Sequence, residues 1–125
     1  MNRLTFAAAM TGFLAVALGA FGAHGFESRL SAEAQGWWET ATFYGLTHAV
    51  AALALSLSAS SVDRLYRRAG WAFVAGAAIF AGSLYAMSLG APRWFGATTP
   101  LGGLLLLGGW TMTALAAFKQ HERKT

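Results

Sequence analysis

Four long stretches without a charged residue decide what this chain can fold into. They give predicted membrane spans at about residues 4–23, 40–59, 71–90 and 99–118. A helix of about 20 residues rises ~30 Å, which is the thickness of the hydrocarbon core of a bilayer. Because 56% of the 125 residues are hydrophobic and only 11% are charged, the composition excludes an ordinary soluble domain. We predict an all-α fold, in which one transmembrane domain over residues 1–125 forms a four-helix bundle.

The first stretch also fits a second interpretation. Arg3 precedes an apolar run that ends in the small residues Ala20 to Ala23, and secretory signal peptides have this arrangement. The run is long enough to cross the membrane. We therefore expect it to form the first helix of the bundle.

Basic residues lie at the ends of the predicted spans and give the expected orientation. Cytoplasmic loops carry an excess of Lys and Arg, so we predict that both termini are cytoplasmic (N-in, C-in). The net charge is +4, but the basic residues form no basic face with interleaved aromatic residues. This argues against a nucleic-acid partner. The absence of cysteine removes disulfides and thiol chemistry. Seven of the nine basic residues are cytoplasmic in this orientation: Arg3, Arg64, Arg67, Arg68, Lys119, Arg123 and Lys124.

The connection between the first two spans is predicted to hold a short interfacial helix. Ser31 can cap such a helix, and Ala-Glu-Ala-Gln follows it. Trp37 and Trp38 come next, and tryptophan collects at the level of the lipid headgroups. Nine residues of helical rise from Glu39 then place His48 about 13 Å deeper, near the bilayer midplane.

His48 is the one ionisable side chain deep inside a predicted span. A histidine at this depth needs a polar partner. Two interpretations stay open: a structural imidazole that bonds Tyr85, Ser83 or a backbone carbonyl, or a ligand site that opens to the outer leaflet. His24 joins this site only if the first helix breaks before it. The candidate pocket consists of His48, Tyr44, Ser83, Tyr85, His24 and Thr99.

Small residues form stripes that predict close contacts between helices. In the third span the stripe contains Ala78, Gly82 and Ala86, so the large residues of that span are expected to face lipid. These large residues are Phe73, Phe80, Leu84 and Met87. The predicted packing glycines of the whole chain are Gly12, Gly19, Gly22, Gly82, Gly102 and Gly103.

Several kinds of chemistry find no support in the sequence. A metal site or haem would depend on His24, His48 and Glu39, whose spacing matches no metal motif. Ser83 lacks an orienting acid within the spans, which argues against a hydrolase. A phosphate-binding loop is also missing. We therefore predict a protein without enzymatic activity, catalytic residues, metal or cofactor.

Several motifs, taken in chain order, resemble one known family. It is the domain-of-unknown-function 423 family of small four-span bacterial inner-membrane proteins, which is similar to the eukaryotic transmembrane protein 256. The resemblance covers nearly the whole chain, and it implies a four-helix membrane fold without an established activity or agreed catalytic residues. The motifs are residues 19–25 (Gly-Ala-Phe-Gly-Ala-His-Gly), Tyr44-x-x-x-His48, residues 80–85 (Phe-Ala-Gly-Ser-Leu-Tyr), and Thr99-Pro100-Leu101-Gly102-Gly103 with Gly109-Trp110.

Two classes of function remain. The first is a non-enzymatic membrane module whose pocket around His48 binds a lipid, a hydrophobic small molecule or a partner protein. The second is a small oligomeric transporter or channel that uses His48 as its intramembrane polar group. Proton-coupled exchangers usually carry a carboxylate in the membrane, and the predicted spans contain no Asp or Glu. The sequence therefore favours the first class, in a lipid bilayer, and is compatible with a homo-oligomer.

Overall fold

The computed structural model describes residues 1–25, 28–58 and 63–123. It contains four α-helices, α1 (Arg3–His24), α2 (Ala32–Leu57), α3 (Arg64–Ser88) and α4 (Thr99–Glu122), with a 3₁₀ helix over Arg93–Ala97 before α4. Four helical segments are long and apolar enough to cross a membrane. The predicted all-α, four-helix fold is thus confirmed. The predicted end of the second span at residue 59 and Lys124 of the basic tail lie outside the described residues.

Three helices begin at a polar side chain that caps their first turn. Asn2 accepts a hydrogen bond from the amide of Thr5 (3.2 Å), Ser31 from Ala34 (3.1 Å) and Asp63 from Leu65 (2.8 Å). Each such cap stabilises a helix by about 1 kcal/mol. α4 instead has Pro100 in its first turn, where the missing N–H would have had no helical partner.

The predicted short interfacial helix does not exist as a separate element. The cap at Ser31 is present as expected, but the helix that it starts continues without a break to Leu57. No glycine turn or proline interrupts this segment, and its residues before Glu39 pack on α1 and α3 instead of lying apart. Trp38, for example, is buried. α2 is therefore 26 residues long, longer than the predicted span.

Each helix packs most extensively on its neighbours along the chain, α1 on α2, α2 on α3 and α3 on α4. One end of the bundle brings together the start of α1 and the end of α2, where the Asn2 amide donates to the Ser56 carbonyl (3.3 Å). An ion pair of 3.9 Å between Arg123 and Asp63 joins α4 to the start of α3 at the same end. At the opposite end the Ser88 hydroxyl donates to the Ala34 carbonyl (2.9 Å). The helices therefore alternate in direction.

The prediction for the faces of α3 is wrong. Phe73 and Leu84, expected to face lipid, are 1% and 7% exposed, and Phe80 and Met87 are half-buried. Gly82, expected at a helix contact, is exposed, and nothing lies within 4 Å of a Cβ placed on it. One physical reason is that glycines of α4 receive large side chains of α3, because a Cβ on Gly102 would meet Phe80 and one on Gly109 would meet Phe73. The small residues that α3 buries include Ala77 and Ala81, each of which lies one position before a member of the predicted stripe.

The other predicted packing glycines lie at helix contacts of different closeness. A Cβ on Gly19 would lie 2.8 Å from Thr42 Cγ2, and one on Gly22 would overlap the Trp38 ring. A Cβ on Gly102 would lie 2.8 Å from the Cα of Phe80. Gly12 and Gly103 have ordinary contacts, because a Cβ there would keep 3.6 and 3.9 Å from its nearest neighbour.

The orientation of the bundle gives a prediction that a reporter fusion checks. The basic residues Arg3, Arg64 and Arg123 lie at one end of the bundle, and an excess of Lys and Arg marks the cytoplasmic side. A reporter fused to the C-terminus should be active when it works only in the cytoplasm. A reporter that works only in the periplasm should be inactive at the same site, and its activity there would show that the topology is inverted.

Candidate functional site

His48 is buried between three helices and both of its ring nitrogens have partners. Its side chain is 6% exposed. Nδ1 lies 2.8 Å from the carbonyl oxygen of Tyr44, one helical turn earlier on α2. Nε2 lies 3.1 Å from the indole nitrogen of Trp110 on α4. One imidazole therefore links α2 to a helix with which it otherwise makes little backbone contact.

These two partners fix the protonation state of the ring in this arrangement. An indole N–H can only donate a hydrogen bond, so Nε2 must be the unprotonated acceptor. A carbonyl oxygen can only accept, so Nδ1 must carry the hydrogen. His48 is thus a neutral imidazole in the Nδ1–H tautomer. A proton on Nε2 would place two donors against each other and break the bond to Trp110.

Aromatic rings enclose the His48 imidazole on its remaining sides. The Tyr44 ring stacks with it at a centroid distance of 5.8 Å, and Phe73 of α3 lies at 5.5 Å. The Trp110 ring stands edge-on at 6.0 Å. The geometry matches the structural interpretation of His48, with a backbone carbonyl as one partner. The sequence argument missed the other partner, Trp110, although the Gly109-Trp110 motif lies at the middle of α4.

The remaining candidate side chains form separate hydrogen-bonded groups away from His48. Ser83 bonds Thr99 (2.6 Å), and the Tyr85 hydroxyl bonds Thr42 (2.7 Å). Ser83 follows Phe73, the α3 residue beside His48, by ten residues, which is about 15 Å along the helix. Tyr44 alone accompanies His48. The structure therefore does not bring the six candidate residues into one pocket.

His24 lies at the far end of α1. The helix continues through Gly19 and Gly22 and ends at His24, which is exposed. The break that would have turned the side chain inward does not occur. Among residues 1–25, 28–58 and 63–123, no three His, Asp or Glu side chains lie close enough to form a metal site.

A cleft of about 620 Å³ lies between the last turns of α1 and the first half of α2. The helices are held together there by Trp38, whose indole N–H donates to the Leu18 carbonyl (2.8 Å). On the α1 side the cleft is lined by Gly19, Gly22 and Ala23, and Thr42 and Trp38 of α2 pack directly against the two glycines. The lining residues are Gly19, Gly22, Ala23, Leu30, Gln35, Trp38, Glu39, Thr42, Phe43, Leu46 and Thr47.

The sequence argument missed this cleft, although a signal for it exists. Gln35, Glu39, Thr42 and Leu46 follow one another at spacings of four, three and four residues, so they share one face of α2. That face combines polar and apolar side chains and looks toward a glycine-containing helix. Read together with the glycines near the end of α1, the stripe indicates an opening between the two helices.

Four apolar helices, joined by paired polar side chains, define a multi-pass integral membrane protein. Residues 18–103 match the family described as "Protein of unknown function (DUF423)". The chain belongs to this family, and the resemblance drawn from its motifs is confirmed. No solved structure matches the chain.

The named relatives of this chain are also membrane proteins. The chain is 40% identical to the UPF0382 membrane protein of Staphylococcus saprophyticus over 111 residues, which cover 89% of this chain and 92% of the relative. It is 39% identical to the UPF0382 membrane protein of Haemophilus influenzae, with 97% and 98% covered. It is 35% identical to the UPF0382 inner membrane protein YgdD of Escherichia coli, with 93% and 89% covered. The predicted location in the bacterial inner membrane is confirmed.

Proposed function

We propose that this protein is a non-enzymatic membrane module that binds a lipid or another hydrophobic molecule in the cleft between α1 and α2. The cleft carries this proposal. Its volume of about 620 Å³ lies within the ~300–1,000 Å³ range of small-molecule sites. Its lining combines apolar side chains such as Phe43 and Leu46 with a few polar ones, as such sites do.

The position of the cleft supports a ligand that comes from the bilayer. Trp38 lines its polar end, and tryptophan side chains prefer the headgroup level of a membrane. The cleft then follows α2 inward as far as Thr47. A molecule that enters from the lipid could keep its polar part near Trp38 and its apolar part against Phe43 and Leu46.

In this proposal the His48 group is a structural link and not the pocket. A ligand at His48 would have to displace either Trp110 or the Tyr44 carbonyl, because each holds one ring nitrogen. The same occupancy makes a transporter that uses His48 as its polar relay the weaker alternative.

Filling the cleft tests the proposal. Leu46 lines the cleft and Val50, one turn further along α2, does not, although both side chains are exposed. Leu46→Trp should lower the amount of co-purified lipid about tenfold, because a loss of about 60 Å² of apolar contact removes ~1.4 kcal/mol of binding. Native mass spectrometry of gently purified protein measures this. Val50→Trp is the matched control and should retain lipid like the natural protein. Equal retention by both variants would show that the cleft is not the binding site.

A further inference from the structure

The proposal that the cleft binds a lipid can be taken one step further, to the chemistry of the headgroup. We infer that the cleft selects a phospholipid whose headgroup carries a primary ammonium group, with the Glu39 carboxylate as its acceptor. This inference rests on the proposed function, since it names the ligand of that same cleft. Three properties of the cleft carry it: its charge, its hydrogen-bonding groups and the order of its residues along α2.

Charge is the first property. Of the described residues that line the cleft, Glu39 is the one with a formal charge. The neighbouring carboxylate of Glu33 lies outside the cleft and pairs with Arg93 at 3.5 Å. A negative lining group repels an anionic headgroup and attracts a cation. The cleft is therefore complementary to an ammonium group.

The hydrogen-bonding groups point the same way. The Trp38 indole N–H is already donated to the Leu18 carbonyl (2.8 Å), and the Thr47 hydroxyl donates to the Phe43 carbonyl (2.7 Å). The protein thus uses these donors internally, whereas an ionised carboxylate such as Glu39 only accepts. A ligand that donates hydrogen bonds fits such a lining better than one that needs donors. A primary ammonium group brings three donors.

The order of the residues along α2 separates a head end from a tail end. Gln35 and Glu39 come first, and Phe43, Leu46 and Thr47 follow deeper along the helix. From Glu39 to Leu46 the helix rises about 10 Å. An amphiphile whose ammonium group meets Glu39 would therefore lay the beginning of an acyl chain against Phe43 and Leu46. A small soluble amine would leave this apolar part of the cleft uncovered.

The experiment is a competition between headgroups on the purified full chain. The protein is exchanged into vesicles of equal parts phosphatidylethanolamine, phosphatidylcholine and phosphatidylglycerol, extracted gently, and analysed by native mass spectrometry. The natural protein should retain phosphatidylethanolamine in excess of the other two. Glu39→Gln should lower that excess about threefold, which is the size expected of a partly exposed ion pair. Glu33→Gln removes a carboxylate from the same helix outside the cleft and should leave the excess unchanged.

The outcomes separate this inference from the proposed function. If Leu46→Trp loses lipid while Glu39→Gln keeps the same headgroup distribution, the cleft binds lipid without the proposed selection and the inference is overturned. Equal retention of phosphatidylcholine and phosphatidylethanolamine by the natural protein would also overturn it, because a quaternary ammonium group cannot donate hydrogen bonds. If Leu46→Trp retains lipid as well, the proposed function itself fails.

Discussion

Gly102→Ala should lower the free energy of unfolding by about 1–3 kcal/mol, the cost of overpacking a close contact. The added Cβ would lie 2.8 Å from both Cα and Cβ of Phe80 on α3. Two of the atoms in its way, the amide nitrogen and Cα of Phe80, belong to the backbone, so a change of side-chain rotamer cannot relieve the clash. α3 and α4 would have to move apart. Thermal unfolding in detergent, followed by circular dichroism, measures the loss.

Gly108→Ala is the matched control on the same helix. Nothing lies within 4 Å of a Cβ at Gly108, so this substitution meets no clash. It should leave the stability unchanged or raise it by about 0.5–1 kcal/mol, because alanine favours a helix over glycine. Equal destabilisation by both substitutions would mean that the loss comes from the helix itself and not from the contact with Phe80.

The comparison of Gly82 with Gly102 shows why the sequence predicted the helices but not all of their faces. Length and the absence of charge are local properties, and they are sufficient to define a membrane-spanning helix. A small residue, by contrast, marks a contact only if a neighbouring helix presents a large side chain at the same height. Phe80 meets Gly102 in this way, whereas Gly82 faces outward. Since lipid and protein are both apolar, the sequence of α3 alone does not distinguish its two sides.

The sequence also predicted only part of the candidate site. The helix of His48 alone predicts that the buried imidazole needs partners. It also predicts that the carbonyl one turn earlier is within reach. The bond to Trp110 depends on the relative height of α2 and α4, which periodicity does not contain. The cleft depends on how α1 and α2 sit against each other, which the sequence of either helix alone does not contain. Ser83 was expected near His48 because the polar side chains of the spans concentrate toward their outer half, but ten residues along α3 separate Ser83 from the ring beside His48.

The motifs that carry the family resemblance coincide with contacts between helices. Phe80 meets Gly102, Ser83 bonds Thr99, and His48 bonds Trp110. These three contacts join α2, α3 and α4 at fixed heights. The remaining motif, residues 19–25, lies at the end of α1 and contributes Gly19, Gly22 and Ala23 to the cleft. The cleft residue Glu39 lies outside the motifs, on the side of α2 that faces α1.

The bond between His48 and Trp110 gives the second prediction of a large effect. His48→Ala should destabilise the protein by about 2–4 kcal/mol, because it leaves a cavity beside Phe73 and an indole N–H without its acceptor. His48→Gln retains a donor and an acceptor and should cost less. Trp110→Phe removes the donor together with one ring of the indole, and the lost hydrogen bond should account for about 0.6 to 1.7 kcal/mol, the average and the maximum measured between membrane helices. Unfolding in detergent measures all three losses.

A double-mutant cycle isolates the bond itself. If the hydrogen bond is the main link between the two side chains, Trp110→Phe should cost less in the His48→Ala background than in the natural protein, by about 0.6 kcal/mol or more. Nitrogen-15 NMR of the imidazole adds a second readout, because the Nε2 resonance should shift when the Trp110 indole N–H no longer donates to it. The Tyr44 carbonyl keeps the hydrogen on Nδ1 in both proteins. Trp71, an exposed tryptophan on α3, supplies the control, and Trp71→Phe should alter neither the coupling nor the Nε2 resonance. Additive losses together with an unchanged Nε2 resonance in Trp110→Phe would show that the indole packs against His48 without a hydrogen bond to its ring.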